Sequence, residues 1–471
     1  MSVRLHSAEG RGVLLASMLG SGMAFLEVTA VNVALPALGR SLHADLAGLQ
    51  WTVNAYLLTL SAFLLTGGGL GDRLGRKRVF SAGVLGFAGT SVLCGLASDV
   101  QVLNWARGLQ GGAAALMIPV SLAMMRADLA EEDQGEALGL WTGMSGVAGA
   151  IGPFLGGWLV DAFSWRSIFL VNLPLAAVAL WAGWRFLPAE SARRSTVPLD
   201  LLGTATAAVA VGGLTYALIE GPPKHWPTPV LAAAVVGAVA GIAFLLVERR
   251  PGAMVPLSFF RIRAFAGANL ATLFLYAALS CALFLLVLQL QLGLGLSPLA
   301  SGCVLLPATV LMAVLSPLAG RWAQAHGTRW PMVVGTVITT LAFVAFTRVS
   351  PRSGWPAALP GVVLFGLGLS IAVAPLTQTV LGALAAEHAG VASGVNNAIA
   401  RVAGLLGVAA IPWASGLAGA GATLSPEQLN LGFHRAMWIC AGLSLLAAIA
   451  SAAGLRDGGE RTRAAGVTGL R

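Results

Sequence analysis

The feature that most constrains this chain is a succession of long apolar segments separated by short polar breaks. A helix needs about 20 mostly apolar residues to cross the hydrocarbon core of a bilayer. Composition supports this interpretation, because 57% of the residues are apolar and only 10% are charged, against about 25% charged in soluble domains. We therefore predict an all-α integral membrane protein without a soluble domain.

The charged and Pro- or Gly-rich breaks divide the sequence into fourteen candidate spans. They lie near residues 13–38, 48–69, 79–97, 102–125, 137–160, 166–186, 200–219, 228–247, 264–292, 299–322, 331–349, 358–384, 391–418 and 433–455. The first lacks a small-residue cleavage site, so we expect it to be retained. Charged connectors after the sixth and eighth spans predict three parts: an N-terminal six-helix bundle over 1–190, a two-helix insert with cytoplasmic linkers over 191–262, and a C-terminal six-helix bundle over 263–471.

The lysines and arginines predict the orientation. With both termini in the cytoplasm, 20 of the 28 lie in inner loops and tails and 6 in outer loops, while Arg107 and Arg401 lie within spans. Cytoplasmic loops carry such an excess of positive charge. We expect a multi-pass protein of the cell inner (plasma) membrane with cytoplasmic termini. The net charge of +9 is assigned to this bias, and no nucleic-acid partner is expected.

A basic glycine-rich loop supports a two-half architecture. It runs from Gly68 to Arg78 between the second and third spans, and a degenerate copy, Ala319 to Arg329, follows the tenth. Parallel repeats of this kind are one way in which transporters build a midplane site. We predict that Asp72 caps a helix end or pairs with an arginine, so that the loop acts as a conformational switch through Asp72, Arg73, Gly75 and Arg76. A loop that only sets topology is the alternative.

Ionisable residues inside the membrane are few, and such residues are costly there unless they have a function. Of the nineteen acids only Glu27 lies deep in a span, and the six histidines lie in loops or at helix ends. Glu27 is the predicted proton carrier, and Arg107 is predicted to modulate its proton affinity. A permanent Glu–Arg contact that only fixes helix packing is the alternative.

Further polar groups extend this set. Asn32 lies nearer to the Glu27 face of its helix than Thr29 does, and Gln110 lies one turn from Arg107. Span thirteen opens with the amides Asn396 and Asn397 and continues to Arg401. The predicted substrate-binding residues are Glu27, Asn32, Gln110, Asn396, Asn397 and Arg401. Hydrogen bonds that only pack helices are the alternative role.

The fifth span carries a stripe of glycines. They stand at positions 139, 143, 146, 149, 152, 156 and 157, with Pro153 beside Gly152. Small residues at spacings of three and four allow another helix to approach closely, and proline adds a kink. Gly152 and Pro153 are therefore predicted either to pack helices or to act as a hinge.

Several classes of site are missing from the sequence. The four cysteines lie in apolar runs without metal-ligand spacing. The only lysines, Lys77 and Lys224, do not end a phosphate-binding loop. We expect no metal, no cofactor, no enzymatic activity and no ATPase domain in this chain. Transport energy would come from an ion gradient, a substrate gradient or a partner subunit.

Together these motifs resemble the major facilitator superfamily, specifically its fourteen-helix drug:proton antiporters of the QacA/EmrB type. The resemblance covers nearly the whole chain and is carried by Leu26–Pro36, Gly68–Lys77, Arg107–Gly111, Gly149–Gly157 and Trp165–Pro174. It implies a major facilitator fold, proton transfer near Arg107 and antiport linked to the fifth-span motif. That family usually has Asp at the position of Glu27. Some relatives that export divalent cations carry a second acid in the region of 299–322, where this chain has none, so neutral or singly charged substrates are expected.

The leading hypothesis is proton-coupled export of small lipophilic drugs or a natural product from the cytoplasm by alternating access, with the bilayer, protons and the substrate as partners. Uptake or facilitated diffusion of a small metabolite is the second hypothesis. A membrane sensor that does not transport is a third, from another class, and it lacks a soluble signalling domain.

Overall fold

The computed structural model describes residues 3–187, 200–250, 255–385, 388–417 and 425–455. Nearly all of them are helical. The helices are α1 (Ala8–Leu42), α2 (Leu46–Leu74), α3 (Arg76–Gly95), α4 (Val100–Asp128), α5 (Glu131–Ala162), α6 (Ser167–Leu170), α7 (Asn172–Phe186), α8 (Leu201–Glu220), α9 (Thr228–Val247), α10 (Arg263–Leu288), α11 (Pro298–His326), α12 (Arg329–Phe346), α13 (Leu359–Gly382), α14 (Ala389–Ala414) and α15 (Pro426–Gly454). Short 3₁₀ turns cover Leu257–Arg261 and Trp355–Ala358, and a π turn, Gln289–Gly293, extends α10. The predicted all-α class is confirmed.

Length and hydropathy identify most of these helices as membrane spans. In the described part of the chain, twelve qualify on their own, with α6 and α7 counted as one span, Ser167–Phe186. Helix α2 qualifies as a thirteenth if its two segments, Leu46–Leu64 and Thr66–Leu74, bent by 52°, are one span. Helix α5 begins with three acidic residues and offers only a shorter apolar segment, Val147–Ala162. The chain is thus a multi-pass membrane protein, while the count of fourteen spans stays a prediction.

Local sequence sets where several helices begin and end. The carboxylates of Asp45 and Asp99 accept hydrogen bonds from the backbone N–H groups of Gly48 and Val102, and so cap α2 and α4. The bond from Val102 also holds the pKa of the Asp99 carboxyl below its usual value. Gly75 has a φ of 100°, which an L side chain rarely adopts, and there the chain turns from α2 into α3.

The described residues of Met1–Val247, together with Gly295–Cys303, form one compact unit. Within it α1 packs on α5 and α7, and α2 packs on α4 and α8. Helix α8 is bonded to α2 near both of its ends: Thr66 Oγ1 and Thr204 Oγ1 are 2.7 Å apart, and Trp51 Nε1 donates to Glu220 Oε1 over 2.8 Å. The two-helix insert therefore groups with the first unit.

The described residues of Glu248–Leu294, Val304–Leu417 and Ser425–Arg471 form the second unit. Here α10 packs on α14 and α15, while α12 packs on α13 and α15. Small residues bring these backbones close: a Cβ at Gly267 would lie 2.7 Å from the Gly454 Cα, and one at Gly335 would lie 2.6 Å from the Ala372 nitrogen. Parts of both predicted linkers, 188–199 and 251–254, lie outside the described residues, and the three-part division stays a prediction.

Candidate functional site

The two ionisable residues predicted in the first half meet inside the first unit. Glu27 lies midway along α1 and Arg107 lies on α4, and both are buried. Arg107 Nη1 is 2.8 Å from Glu27 Oε1, so the pair is both an ion pair and a hydrogen bond. Each charge compensates the cost of removing the other from water.

The Arg107 guanidinium is fixed on further sides. Its Nε donates to the Thr52 carbonyl over 3.0 Å, and Nη1 also donates to Gln110 Oε1 over 2.7 Å. The guanidinium carbon lies 4.4 Å from the centre of the Tyr56 ring, a cation–π distance. Gly111 permits this arrangement, because a Cβ there would collide with the carbonyl of Tyr56. Helices α2 and α4 therefore hold the cation in one position.

The second oxygen of the Glu27 carboxylate is also bound. Asn172, the first residue of α7, donates from Nδ2 to Glu27 Oε2. Ser91 of α3 joins the two sides, since its hydroxyl oxygen accepts from Gln110 Nε2 over 2.9 Å and from Asn172 Nδ2 over 3.3 Å. We call this set the Glu27 network; its members are Glu27, Thr52, Ser91, Arg107, Gln110 and Asn172.

The Glu27 network couples protonation to geometry. An ionised carboxylate only accepts hydrogen bonds, whereas a protonated one must also donate. Both oxygens of Glu27 already accept from N–H donors. A proton on the carboxylate leaves each oxygen a lone pair for its donor but removes the negative charge, and so weakens the hydrogen bond from Arg107. Because Glu27 is 0% exposed, water reaches the carboxylate only when the surrounding helices rearrange.

The sequence alone assigns no site role to Ser91, Thr52, Tyr56 or Asn172. Asn172 lies within Trp165–Pro174, one of the motifs that carry the family resemblance, but the motif gives it no role. Its signal is a single amide in a strongly apolar segment. Ser91 and Thr52 offer no such signal, because small hydroxyl residues are common on membrane helices and Thr52 contributes its backbone carbonyl.

Asn32 and Thr29 lie outside the Glu27 network. Thr29 Oγ1 donates to the Leu26 carbonyl over 3.0 Å, within its own helix. Asn32 Oδ1 is buried and has no hydrogen-bond partner among the described residues. The assignment of Asn32 to substrate binding therefore stays a prediction.

The polar residues of span thirteen separate into two sets on α14. Asn396 Nδ2 donates to Thr272 Oγ1 over 2.7 Å and to Asn269 Oδ1 over 3.1 Å, which joins α14 to α10. Asn397 is exposed, and its amide donates to the Ser393 carbonyl one turn earlier. Arg401 follows four residues later and is half-buried. Asn396 thus contacts α10, while Asn397 and Arg401 share another side of α14, and the substrate-binding role of all three stays a prediction.

The loop between α2 and α3 pairs charges locally. Arg76 Nη2 lies 3.1 Å from Asp72 Oδ1, one of the two arrangements predicted for Asp72. Lys77 Nζ donates to the carbonyls of Trp184 and Leu187 over 3.0 and 2.8 Å, and so binds the C-terminal end of α7. These contacts hold α2, α3 and α7 together; a switching role of Asp72, Arg73, Gly75 and Arg76 stays a prediction.

The glycines of α5 allow close helix contacts in the first unit. A Cβ at Gly152 would collide with Thr29, and one at Gly156 would lie 2.9 Å from the Ala30 backbone, both on α1. A Cβ at Gly157 would lie 2.5 Å from the Pro298 carbonyl oxygen, where α11 begins. Asp161 Oδ2 accepts from the Leu299 N–H over 2.9 Å and caps the same helix. The geometry favours the packing interpretation of this stripe, and a hinge at Gly152 and Pro153 stays a prediction.

The fold is a bundle of membrane helices, and the site is a buried carboxylate network. This combination places the chain in the class of multi-pass membrane proteins, which includes transporters. The family model described as Major Facilitator Superfamily matches residues 17–200 and 199–408. The chain belongs to this superfamily of transporters. This match confirms the prediction that the chain is not an enzyme. It also confirms the family resemblance inferred from the sequence motifs.

Curated relatives share the sequence over most of this chain. It is 36% identical over 401 residues to "Multidrug resistance protein Stp" of Mycobacterium tuberculosis, covering 84% of this chain and 74% of that protein. The "Tetracenomycin C resistance and export protein" of Streptomyces glaucescens is 36% identical over 402 residues, with the same two shares, 84% and 74%. The "Methylenomycin A resistance protein" of Bacillus subtilis is 34% identical, covering 86% and 87%.

Solved structures share the fold at low sequence identity. A peptide transporter POT in complex with sulfate matches with a TM-score of 0.70 and 14% identity, covering 95% of each chain. The nucleoside transporter NupG (D323A mutant) matches with a TM-score of 0.65 and 12% identity, covering 94% of this chain and 100% of that one. At such identities the likeness concerns the fold alone.

Proposed function

We propose that this protein is a proton-coupled antiporter that exports a lipophilic drug or natural product from the cytoplasm by alternating access. The observation that carries the proposal is the Glu27 network, in which the single acid deep in a span is buried with both oxygens bound. Relatives over most of the chain are named for drug resistance or export. Export and proton exchange together account for both observations.

In the proposed cycle Glu27 carries the proton. When the site opens to the outside, a proton binds Glu27, neutralises its carboxylate and weakens the ion pair with Arg107. The weaker contact between α1 and α4 lets these helices repack, so protonation and conformation are linked. Release of the proton to the cytoplasm restores the bonds seen in the Glu27 network.

The membrane context of the proposal is the cell inner membrane with both termini in the cytoplasm, supported by the excess of positive residues in the loops assigned to the inside. A facilitator without proton coupling is the second candidate. It is favoured only by the alternative role of the Glu27–Arg107 pair, which is to hold α1 and α4 together permanently.

Substrate-dependent proton release tests the proposal. The purified protein is reconstituted in liposomes, lipophilic compounds are added at controlled pH, and released protons are counted with a pH dye. We expect release from the wild type and none from Glu27→Gln, which keeps the shape but cannot ionise. Glu27→Asp is the matched control, since Asp keeps a titrating carboxylate, and it should retain release.

Two results would contradict the proposal. Proton release that persists in Glu27→Gln would remove Glu27 as the carrier. Binding and transport of a compound without proton release in the wild type would favour the facilitator. Size-exclusion profiles of each variant show whether a lost signal only reflects misfolding.

A further inference from the structure

Helix α14 presents a line of polar residues that the Glu27 network does not use. Ser393, Asn397 and Arg401 follow one another at intervals of four, so they lie on one side of the helix over about 12 Å. We call this line the α14 polar face. Asn397 is exposed, and Ser393 and Arg401 are half-buried.

Contacts with α10 fix the direction of the α14 polar face. A Cβ at Gly404 would lie 2.5 Å from Ser280 Oγ, and one at Gly407 would collide with the backbone of Ala277. Asn396, beside Asn397 in the chain, is bonded to Thr272 of α10. With the adjacent side of α14 packed so closely, the helix cannot turn Arg401 away without breaking these contacts.

An aromatic residue of α10 lies beside the Arg401 turn. A Cβ at Gly404, three residues from Arg401, would be 4.0 Å from the Tyr276 carbonyl, and Tyr276 interacts electrostatically with Arg401. Tyr276 is half-buried. A guanidinium, an exposed amide and a phenol ring therefore occur together in one part of the second unit. Charged groups at membrane depth almost always face a bundle interior or a water-filled cavity and mark substrate pathways.

The charged residues within the membrane give the region around Arg401 a net positive charge. In the sequence from Arg263 to Gly454 the only acids are Glu387, in the connection between α13 and α14, and Glu427, in the first turn of α15, and neither lies deep in a span. In the first unit the charges of Glu27 and Arg107 compensate each other at 2.8 Å. Among the three ionisable residues deep in spans, one positive charge thus remains in excess when Glu27 is ionised. Because few mobile ions screen charges at this depth, an anion is attracted and a cation repelled.

We infer that the exported substrate carries an acidic group, a carboxylate or an acidic phenol, on an apolar aromatic body, and that Arg401 binds this group. Asn397 and Ser393 supply further hydrogen-bond donors, and Tyr276 contacts the aromatic body. Arginine suits this role because its planar guanidinium can donate two parallel hydrogen bonds to one carboxylate. The inference rests on the proposed function as an exporter and names the chemical class of its substrate.

A matched set of probes tests this inference. Naphthalene, anthracene and pyrene are each used as the butanoic acid, its methyl ester and the corresponding trimethylammonium, and binding to the purified protein is measured by fluorescence at pH 7. For at least one ring system we expect the acid to bind most tightly and the ammonium most weakly. Preference for the ester or the ammonium, or no binding of any acid, would overturn the inference.

Variants separate charge recognition from a structural role of Arg401. Arg401→Gln should weaken binding of the acid about tenfold or more, as expected for a lost charged hydrogen bond, and leave binding of the ester nearly unchanged. Arg401→Lys should restore part of the affinity for the acid. Arg435→Gln is the control, because it removes an exposed cation from the same unit. Equal losses for acid and ester would show that Arg401 only supports the fold.

The design also separates this inference from the proposed function. Proton release on adding the ester, lost in Glu27→Gln, would support antiport even if the acid is not preferred. Preferred binding of the acid without any proton release would support the α14 polar face and contradict antiport. If Arg401→Gln does not fold, the ranking of the three probes by the wild type still decides.

Discussion

At the scale of single residues, the ion pair of Glu27 and Arg107 differs from those of Arg4 with Glu132 and of Lys224 with Glu220. The side chains of Glu27 and Arg107 are 0% and 2% exposed, whereas each of the other two pairs includes a side chain that is more than half exposed. Exposed pairs contribute little to stability. A buried pair behaves differently, because removing one partner leaves the other charge in a medium that solvates it poorly.

Arg107→Ala should therefore destabilise the protein by about 3–5 kcal/mol. Adding Glu27→Gln to Arg107→Ala should restore part of that loss, because the second change removes the uncompensated carboxylate. The free energy of unfolding is measured in mixed micelles with increasing dodecyl sulfate, read by tryptophan fluorescence. A double variant that is less stable than Arg107→Ala would show that the pair does not act through charge compensation.

Asn172→Ala should destabilise the protein by about 1.5–3 kcal/mol, the usual value of a hydrogen bond to a charged group, because Glu27 Oε2 then loses its donor. Asn32→Ala is the matched control, since Asn32 has the same side chain with a buried oxygen that has no partner among the described residues. We expect Asn32→Ala to leave the unfolding midpoint unchanged in the same micelles. Equal effects of the two changes would remove Asn172 from the Glu27 network.

At the scale of helices, sequence predicted positions better than lengths. The spans predicted at 200–219 and 228–247 match α8 and α9 within one residue at each end. By contrast α1 runs over Ala8–Leu42, beyond the predicted 13–38, because Ser7 caps its start outside the apolar segment. Hydropathy reports where a helix enters lipid, whereas caps decide where it ends.

The contact between Asn172 and Glu27 could not be predicted in the same way. The two residues are 145 positions apart, and no local pattern predicts that they meet.

The segment from Val3 to Leu5, which we call the strap, joins the start of α1 to the turn between α4 and α5. Val3 N–H donates to the Asp128 carbonyl over 2.8 Å, and the Val3 carbonyl accepts from Ala130 over 3.0 Å. Leu5 N–H donates to Asp133 Oδ2 over 2.8 Å, and Arg4 Nε lies 2.9 Å from the same atom. The strap therefore depends on the Asp133 carboxylate being ionised.

The strap should loosen in acid. The Leu5 N–H, and after it the Arg4 guanidinium, hold the pKa of the Asp133 carboxyl below its usual value of 3.8. The contribution to stability is therefore complete above pH 3.8 and is lost as the pH falls through the lowered pKa. Hydrogen exchange of the Leu5 amide should accelerate below that pH, after correction for the intrinsic rate. Asp133→Asn should exchange quickly at every pH, and Glu132→Gln, at an exposed partner of Arg4, should behave like the wild type.

The packing of α5 on the start of α11 allows a prediction with a control on the same helix. Gly157→Val should destabilise the protein by about 1–3 kcal/mol, as overpacking does, because a Cβ there would lie 2.5 Å from the Pro298 carbonyl oxygen. Gly149→Val should be tolerated, since no atom lies within 4 Å of a Cβ at that position. Thermal unfolding of both variants in the same detergent checks this, and equal midpoints would contradict the close contact.

At the scale of the whole molecule, the charge inventory determines how a membrane potential acts on transport. Glu27 is the single acid deep in a span, so the proposed antiporter carries one proton inward in each cycle. Exchange of one proton for a neutral substrate moves one positive charge inward. Exchange for a monoanion moves two, and exchange for a monocation moves none.

Export of an acidic substrate should therefore respond more steeply to voltage than export of its ester. Each transferred charge contributes about 2.3 kcal/mol per 100 mV, so the acid gains twice the driving force of the ester at the same potential. A valinomycin-set potassium potential, negative on the side that the probe leaves, should raise the steady-state gradient of the acid most, raise that of the ester less, and leave that of the ammonium unchanged. Liposomes that contain Glu27→Gln protein are the control. They must hold the same potential, and any probe gradient in them measures passive redistribution of the charged probes. Equal responses of acid and ester would mean that the acid crosses together with a second proton, and one carboxylate could not then account for the cycle.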